Sequence, residues 1–195
     1  MVYWLVIFYH EKFILTDAMY YTSFYKKFSE QQILNMINSD KRWNIVAYLF
    51  IIPVVIIRAV FSWVCLKSGS FITERFTEAA FWKICIQAEI VFAIGAVAGL
   101  LYTEFFVDVE TLEQLSINPF SLQIFTADSM PKWSSYFFNT LNIFEIGYVF
   151  VLAYLIAEEA KSKVLPTLKF VASTYLPGLA LWVMLVSYLS VVFQP

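Results

Sequence analysis

Three ionisable residues interrupt long apolar stretches of the chain: Arg58, Glu89 and Glu145. A charge is costly to bury in hydrocarbon, so ionisable residues in such stretches are the first candidates for function. Two interpretations fit. In the first, the residues form a proton or ion relay, or Arg58 binds an anionic substrate. In the second, they form a buried ion pair that fixes helix register, plus a carboxyl group held neutral by desolvation.

Helix geometry predicts two possible partners for the arginine. Arg58 and Glu89 fall on the same half of the bilayer, within about 5 Å of each other along its normal, which an arginine side chain can cover. Glu145 is expected about 3 Å beyond the midplane on the other side, near the centre of its segment. One cation therefore faces two carboxylates at different depths.

The sequence lacks the usual catalytic and cofactor motifs. His10 is the only histidine, which excludes a two-histidine metal motif and leaves any serine or cysteine triad dependent on that residue. Cys65 and Cys85 are interpreted as small apolar side chains rather than a disulfide framework or a zinc site. There is no Walker loop and no dinucleotide fingerprint. We predict no catalytic residues, no metal, no cofactor and no enzyme activity.

Composition indicates where these residues lie. Apolar residues make up 61% of the 195 residues, charged residues only 14%, and the mean hydropathy is +0.70. Soluble domains have roughly 45–50% apolar and about 25% charged residues. The net charge of −2 provides no basic field for nucleic acid. The chain is therefore predicted to be an integral membrane protein whose first partner is the lipid bilayer.

Four stretches are long enough to cross a hydrocarbon core of about 30 Å as helices. Strands would be shorter and would alternate polar with apolar residues, which these stretches do not. We predict an all-α, polytopic transmembrane helical bundle within one domain, residues 43–195. A helix start is expected at Ser39-Asp40, and a short surface or re-entrant helix near residues 111–115. The four spans are predicted at about residues 44–66, 84–106, 137–157 and 169–193.

Residues 1–42 mix aromatic and charged side chains and are predicted to form an amphipathic, interfacial segment on the membrane surface. An ordinary cap packed on the bundle is an equal alternative. Lysine and arginine residues divide evenly between the two sides of the predicted bundle, so the positive-inside rule leaves the orientation open. We expect the chain to reside in the cytoplasmic (inner) membrane of a bacterium.

Small residues and prolines predict how the helices pack. Gly95 and Gly99 form a small-residue face that allows another backbone to approach closely, within the chain or between chains. Pro53 and the pair Pro177-Gly178 are expected to kink their helices. Such kinks either frame a cavity or simply shape the bundle.

The carboxy-terminal part resembles the Yip family of Ypt/Rab-interacting integral membrane proteins and their bacterial relatives. The likeness covers about residues 113–192 and includes Asn118-Pro119-Phe120-Ser121-Leu122, then residues 140–145, Val151-Leu152-Ala153 and Pro177. The chain departs from the family in having Glu145-Ile146 where tryptophan commonly follows phenylalanine, and in having four predicted spans where five are typical. The resemblance implies a helical bundle without catalytic residues that acts through membrane partners.

Two functions follow as hypotheses. The first is a non-enzymatic scaffold or subunit of a larger membrane assembly, with a membrane-protein partner or a second copy of the chain. The alternative is a small solute or ion transporter or channel that uses Arg58, Glu89 and Glu145.

Overall fold

The computed structural model describes residues 1–70, 78–107, 109–115, 117–125 and 132–193, and these ranges are mainly helical. A π-helical turn, His10–Ile14, follows the first helix, and a 3₁₀ turn, Leu122–Phe125, precedes the seventh. The all-α class was predicted, as was the short helix near residues 111–115. The helices are α1 Val2–Tyr9, α2 Asp17–Phe24, α3 Glu30–Ser70, α4 Glu78–Ala88, α5 Ile90–Phe106, α6 Leu112–Leu115, α7 Lys132–Thr140, α8 Ile143–Glu159 and α9 Val164–Val192.

Three helical stretches are long and apolar enough to cross a membrane: Glu30–Gly69, Ala79–Phe106 and Val164–Val192. They coincide with the predicted first, second and fourth spans. By length and composition they support the predicted class, a helical membrane protein. The prediction of four spans is not confirmed.

The predicted third span, residues 137–157, is divided in the structure. Helix α7 ends at Thr140 and α8 begins at Ile143. The Asn142 side chain accepts a hydrogen bond from the Glu145 backbone N–H at 2.8 Å, which caps the start of α8. With 17 residues, α8 alone is about 26 Å long at 1.5 Å per residue.

The backbone around this interruption pairs with an earlier segment of the chain. Leu122 donates its N–H to the Leu141 carbonyl at 3.0 Å, and Ile143 donates to the Phe120 carbonyl at 3.1 Å. Between these two bonds, Ser121 and Asn142 form an isolated antiparallel bridge. The polar groups that the helix leaves unpaired are thereby satisfied within the protein.

Helix α3 begins earlier than predicted. Ser29 donates its N–H to Gln32 Oε1 at 2.9 Å, and Gln32 donates its N–H to Ser29 Oγ at 3.4 Å. This reciprocal capping box starts the helix, so the start predicted at Ser39-Asp40 is wrong. At 41 residues, α3 measures about 62 Å, twice a bilayer core of about 30 Å. Its first turns therefore extend beyond the span.

Contacts divide the chain into two compact units. The first unit comprises residues 1–54 and 93–119, and the second comprises residues 55–92 and 120–195. Helices α3 and α5 each contribute residues to both units. The predicted boundary between residues 42 and 43 remains a prediction, since this division separates contacts rather than membrane and surface segments.

The first unit has a small core and polar ties. Tyr20, Ile33 and Ile37 are buried together where α2 meets the start of α3. Tyr20 donates its hydroxyl to Asp40 at 2.7 Å, and the Lys41 ammonium lies 3.0 Å from the Asp17 carboxylate. Burial, assisted by the Asp40 hydrogen bond, raises the pKa of the Tyr20 hydroxyl above its usual value. These contacts join residues of the predicted interfacial segment to one another.

The second unit contains the larger core, to which α3, α4, α8 and α9 contribute. On α8 the buried positions recur every three to four residues, as expected for one face of a helix. The most buried core side chains are Ala59 and Leu66 of α3, Phe81, Ile84, Cys85 and Ala88 of α4, Tyr148, Leu152, Ala153 and Ile156 of α8, and Val171 and Tyr175 of α9. Cys65 and Cys85 are both buried free thiols.

Glycines bring α3 and α9 into direct contact. A Cβ on Gly178 would lie 2.4 Å from Cys65 Sγ, and a Cβ on Gly69 would lie 2.0 Å from Thr174 Cγ2. Both distances are too short for any side chain. Helices α3 and α9 run on through Pro53 and Pro177. The position of Gly178 is therefore explained by close helix approach, which its sequence pattern alone did not reveal.

Candidate functional site: a charged cluster in the second unit

Arg58 and Glu89 form an ion pair in the second unit. Arg58 Nη2 donates to Glu89 Oε2. Glu89 is buried, with 5% of its surface exposed, whereas the Arg58 side chain is 37% exposed. The pair joins α3 to the junction of α4 and α5. Of the two partners that the sequence offers Arg58, the nearer in depth is the one that it binds.

Glu89 lies at an interruption between two helices. Helix α4 ends at Ala88 and α5 begins at Ile90. Around the interruption, Glu89 donates its N–H to the Ile86 carbonyl at 3.3 Å, and Phe92 donates to the Glu89 carbonyl at 3.2 Å. These bonds span three residues rather than four, the pattern of a tightened 3₁₀ turn, which in mid-helix often marks a hinge.

An aromatic ring supports the arginine. The guanidinium carbon of Arg58 lies 3.6 Å from the centroid of the Phe92 ring, one turn beyond Glu89. Such a cation–π contact contributes about 0.5–2 kcal/mol, with the larger values where water is excluded. Phe92 thus contacts the face of the guanidinium while Glu89 accepts a hydrogen bond from its edge.

Glu145 lies in the first turn of α8, not near the centre of a continuous span. Its carboxylate accepts a hydrogen bond from the Tyr175 hydroxyl of α9. The Tyr175 ring contacts the ring of Tyr148, which in turn contacts Phe92 with centroids 4.9 Å apart. Since Phe92 also contacts Arg58, Glu145 belongs to the same packed cluster. The difference from the expected position follows from the helix break at Leu141 and Asn142.

Hydroxyl groups that were not predicted from the sequence complete the cluster. Tyr148 donates to Ser62 Oγ at 2.8 Å in the buried core, and Ser62 lies one helical turn after Arg58. The rings of Tyr148 and Tyr175 have centroids 5.5 Å apart. Spacing could have revealed them: Ser62 is four residues after Arg58 and Tyr148 three after Glu145, which places each on the same helix face.

Two polar atoms of the cluster have no partner among the residues that the structure describes. They are Arg58 Nε and Glu89 Oε1, both buried. A buried polar atom usually has a hydrogen-bond partner, so each orphan requires an explanation. Within the described ranges, no group of three or more His, Cys, Asp or Glu residues is arranged to hold a metal ion. The site is a cluster of charged and hydroxyl side chains.

Three of the other predicted residues belong to the first unit: Pro53, Gly95 and Gly99. A Cβ added to Gly99 of α5 would have open space around it, since no described residue places an atom within 4 Å of that position. Gly95 lies one turn earlier on the same helix. Pro177 and Gly178 line a groove of about 520 Å³ between α3 and α9. None of these residues has a polar contact to the charged cluster.

Comparisons with known protein families, with curated proteins and with solved structures find no match. The resemblance to the Yip family accordingly stays a prediction.

Proposed function

We propose that this chain moves an ion, or a solute together with an ion, across a membrane, with Arg58, Glu89 and Glu145 at its working site. One observation carries the proposal: Glu89 lies at one helix interruption and Glu145 in the first turn after another. Arg58 binds the first glutamate, and contacting aromatic rings link it to the second. Secondary transporters typically form their ion and substrate sites at discontinuous helices.

We propose in addition that α7 and α8 form a fourth, discontinuous span, and the packing of these helices supports it. Both helices pack on α9: Trp182 of α9 donates to the Tyr136 hydroxyl of α7 at 3.0 Å, and Tyr175 contacts Tyr148 of α8. Residue numbers fall along α8 and α7 as they rise along α9, so the pairing is antiparallel. Non-helical backbone is tolerated at membrane depth where protein covers it, as residues 120–122 cover this break.

The test is ion movement in a defined system. The purified chain is reconstituted into liposomes that contain a pH-sensitive dye, and a potassium diffusion potential is applied with valinomycin. A parallel series measures uptake of radioactive sodium. We expect potential-driven uptake of one of the two ions, and a fall to the level of protein-free liposomes in Glu145→Gln and Glu89→Gln. Glu158→Gln, at the exposed end of α8, is the matched control and keeps wild-type flux.

Folding is checked separately, by gel filtration in mild detergent and by helicity. Wild-type protein that moves neither ion overturns the proposal. Glutamine variants that remain folded and keep full flux also overturn it. Variants that lose flux only because they unfold are replaced by Tyr175→Phe, which removes the hydrogen bond to Glu145 and keeps the ring.

A second candidate function is the scaffold or subunit of a larger membrane assembly. We propose it because the space beside Gly99 holds no described residue of this chain. Small-residue faces let helices approach closely, and an unfilled face suits a helix of a partner or of a second copy. The predicted likeness to the Yip family, which implies action through membrane partners, points the same way.

Substitution on that face tests the assembly. Gly99→Leu places a bulky side chain where a neighbouring helix would pack, and we expect it to abolish a complex seen by cross-linking or mass in mild detergent. Val97→Leu changes an exposed position nearby and serves as the control. A wild-type chain that is strictly monomeric and retains no partner, or a complex that survives Gly99→Leu, contradicts the proposal.

A further inference from the structure

The cluster in the second unit carries unbalanced charge. It contains one cation, Arg58, and two carboxylates, Glu89 and Glu145, and no second cation is paired with either glutamate among the described residues. The other titratable groups that face them are the hydroxyls of Tyr148 and Tyr175 and the thiol of Cys85, all neutral in their ordinary forms. Both glutamates are wholly or mostly withdrawn from solvent. An uncompensated charge is strongly disfavoured in such surroundings.

The geometry also leaves a specific atom unsatisfied. Glu89 is buried, with only 5% of its surface exposed. One of its carboxylate oxygens accepts a hydrogen bond from Arg58, and the other, Oε1, has no donor among the described residues. Glu145 has one oxygen bound by Tyr175. A buried carboxylate oxygen without a donor, in the same packed cluster as a second carboxylate, is suited to take up a proton or a cation.

We propose that Glu89 and Glu145 together bind one monovalent cation, a proton or a sodium ion, which neutralises the cluster in its resting state. The ion is a property of the pair, since two coupled carboxylates titrate as a unit. Removing either carboxylate leaves one glutamate and one arginine, a neutral set that has no need of the ion. Removing the arginine leaves two carboxylates, which need two.

Infrared spectroscopy of the purified chain in lipid nanodiscs tests this count. The carbonyl band of a protonated carboxyl group, identified by its shift in heavy water, is recorded at neutral pH in sodium-containing and in sodium-free choline buffer. A band in both buffers assigns the ion as a proton. A band that appears only when sodium is withdrawn assigns it as sodium, with a proton taking its place.

The variants separate this proposal from simple desolvation of one residue. We expect the band to disappear in Glu145→Gln and also in Glu89→Gln, and to grow about twofold in Arg58→Gln if that variant folds. Glu158→Gln, exposed at the end of α8, leaves the band unchanged. A band that persists at full size in Glu89→Gln, or wild-type protein with no band in either buffer, overturns the proposal.

The inference deepens the proposed transport function, for which this would be the transported or coupling ion, yet the two tests fail separately. A band with the expected variant pattern and no flux keeps the ion site and rejects transport. Flux without the band keeps transport and rejects the site.

Discussion

The two units of the chain contain the same kind of ion pair in opposite surroundings. In the first unit, Asp17 and Lys41 meet at 3.0 Å with side chains 61% and 59% exposed. In the second unit, Arg58 pairs with a glutamate whose side chain is only 6% exposed. When the exposed pair is broken, water can hydrogen-bond to both charged groups again. The buried carboxylate has no water to take the place of its arginine. Breaking the buried ion pair is therefore expected to cost more stability than breaking the exposed one.

The largest effect is expected from Arg58→Gln. The substitution leaves Glu89 buried without its cation, and breaking a buried pair on one side costs about 3–5 kcal/mol. The measurement is the free energy of unfolding in mixed detergent micelles. Arg42→Gln, exposed on the same helix, is the control. The double variant with Glu89→Gln is expected to be less destabilised than the single one, and an equal loss in both would contradict the buried-charge explanation.

Gly178→Val comes next. The added side chain meets Cys65 at the contact between α3 and α9, and overpacking of this kind costs about 1–3 kcal/mol. Leu176→Val, at an exposed position of the same helix, is the control. Thermal unfolding in detergent measures both. Similar melting temperatures for the two variants would show that α3 and α9 do not touch at Gly178.

Tyr148→Phe is expected to have a smaller effect. It removes the 2.8 Å hydrogen bond to Ser62 while keeping the ring in the core. The Ser62 oxygen then lacks its donor, for a loss of about 1 kcal/mol. Tyr154→Phe, on the exposed face of the same helix, is the control. Unfolding in mixed micelles measures the difference, and no difference between the two would argue against a buried polar link.

The smallest effect is expected from Lys41→Gln in the first unit. Exposed ion pairs contribute about 0.2–1 kcal/mol and weaken with salt. The measurement is hydrogen exchange of α2 at low and high salt, where wild type and variant should converge as salt is added. A loss as large as that of Arg58→Gln would remove the distinction between the units.

Composition and hydropathy alone predict that the molecule is a helical membrane protein. Apolar stretches of about 20 residues are long enough to cross a bilayer as helices. A helix satisfies its backbone hydrogen bonds within the segment, as the absence of water in lipid requires. That reasoning located α9 and the apolar parts of α3, α4 and α5. It also singled out Arg58, Glu89 and Glu145, because a charge within an apolar stretch is visible in the sequence without any structure.

The positions of the helix breaks and the pairing of polar side chains from distant helices follow from the tertiary fold alone. Residues 137–157 read as one span because hydropathy averages over a window, and no average detects that Asn142 caps a new helix paired with residues 120–122. The turn at Glu89 contains neither glycine nor proline, the usual local causes of a break. Likewise, Tyr175 lies 30 residues from the glutamate it binds. Such pairings arise from the packing of distant helices, which local sequence patterns do not encode.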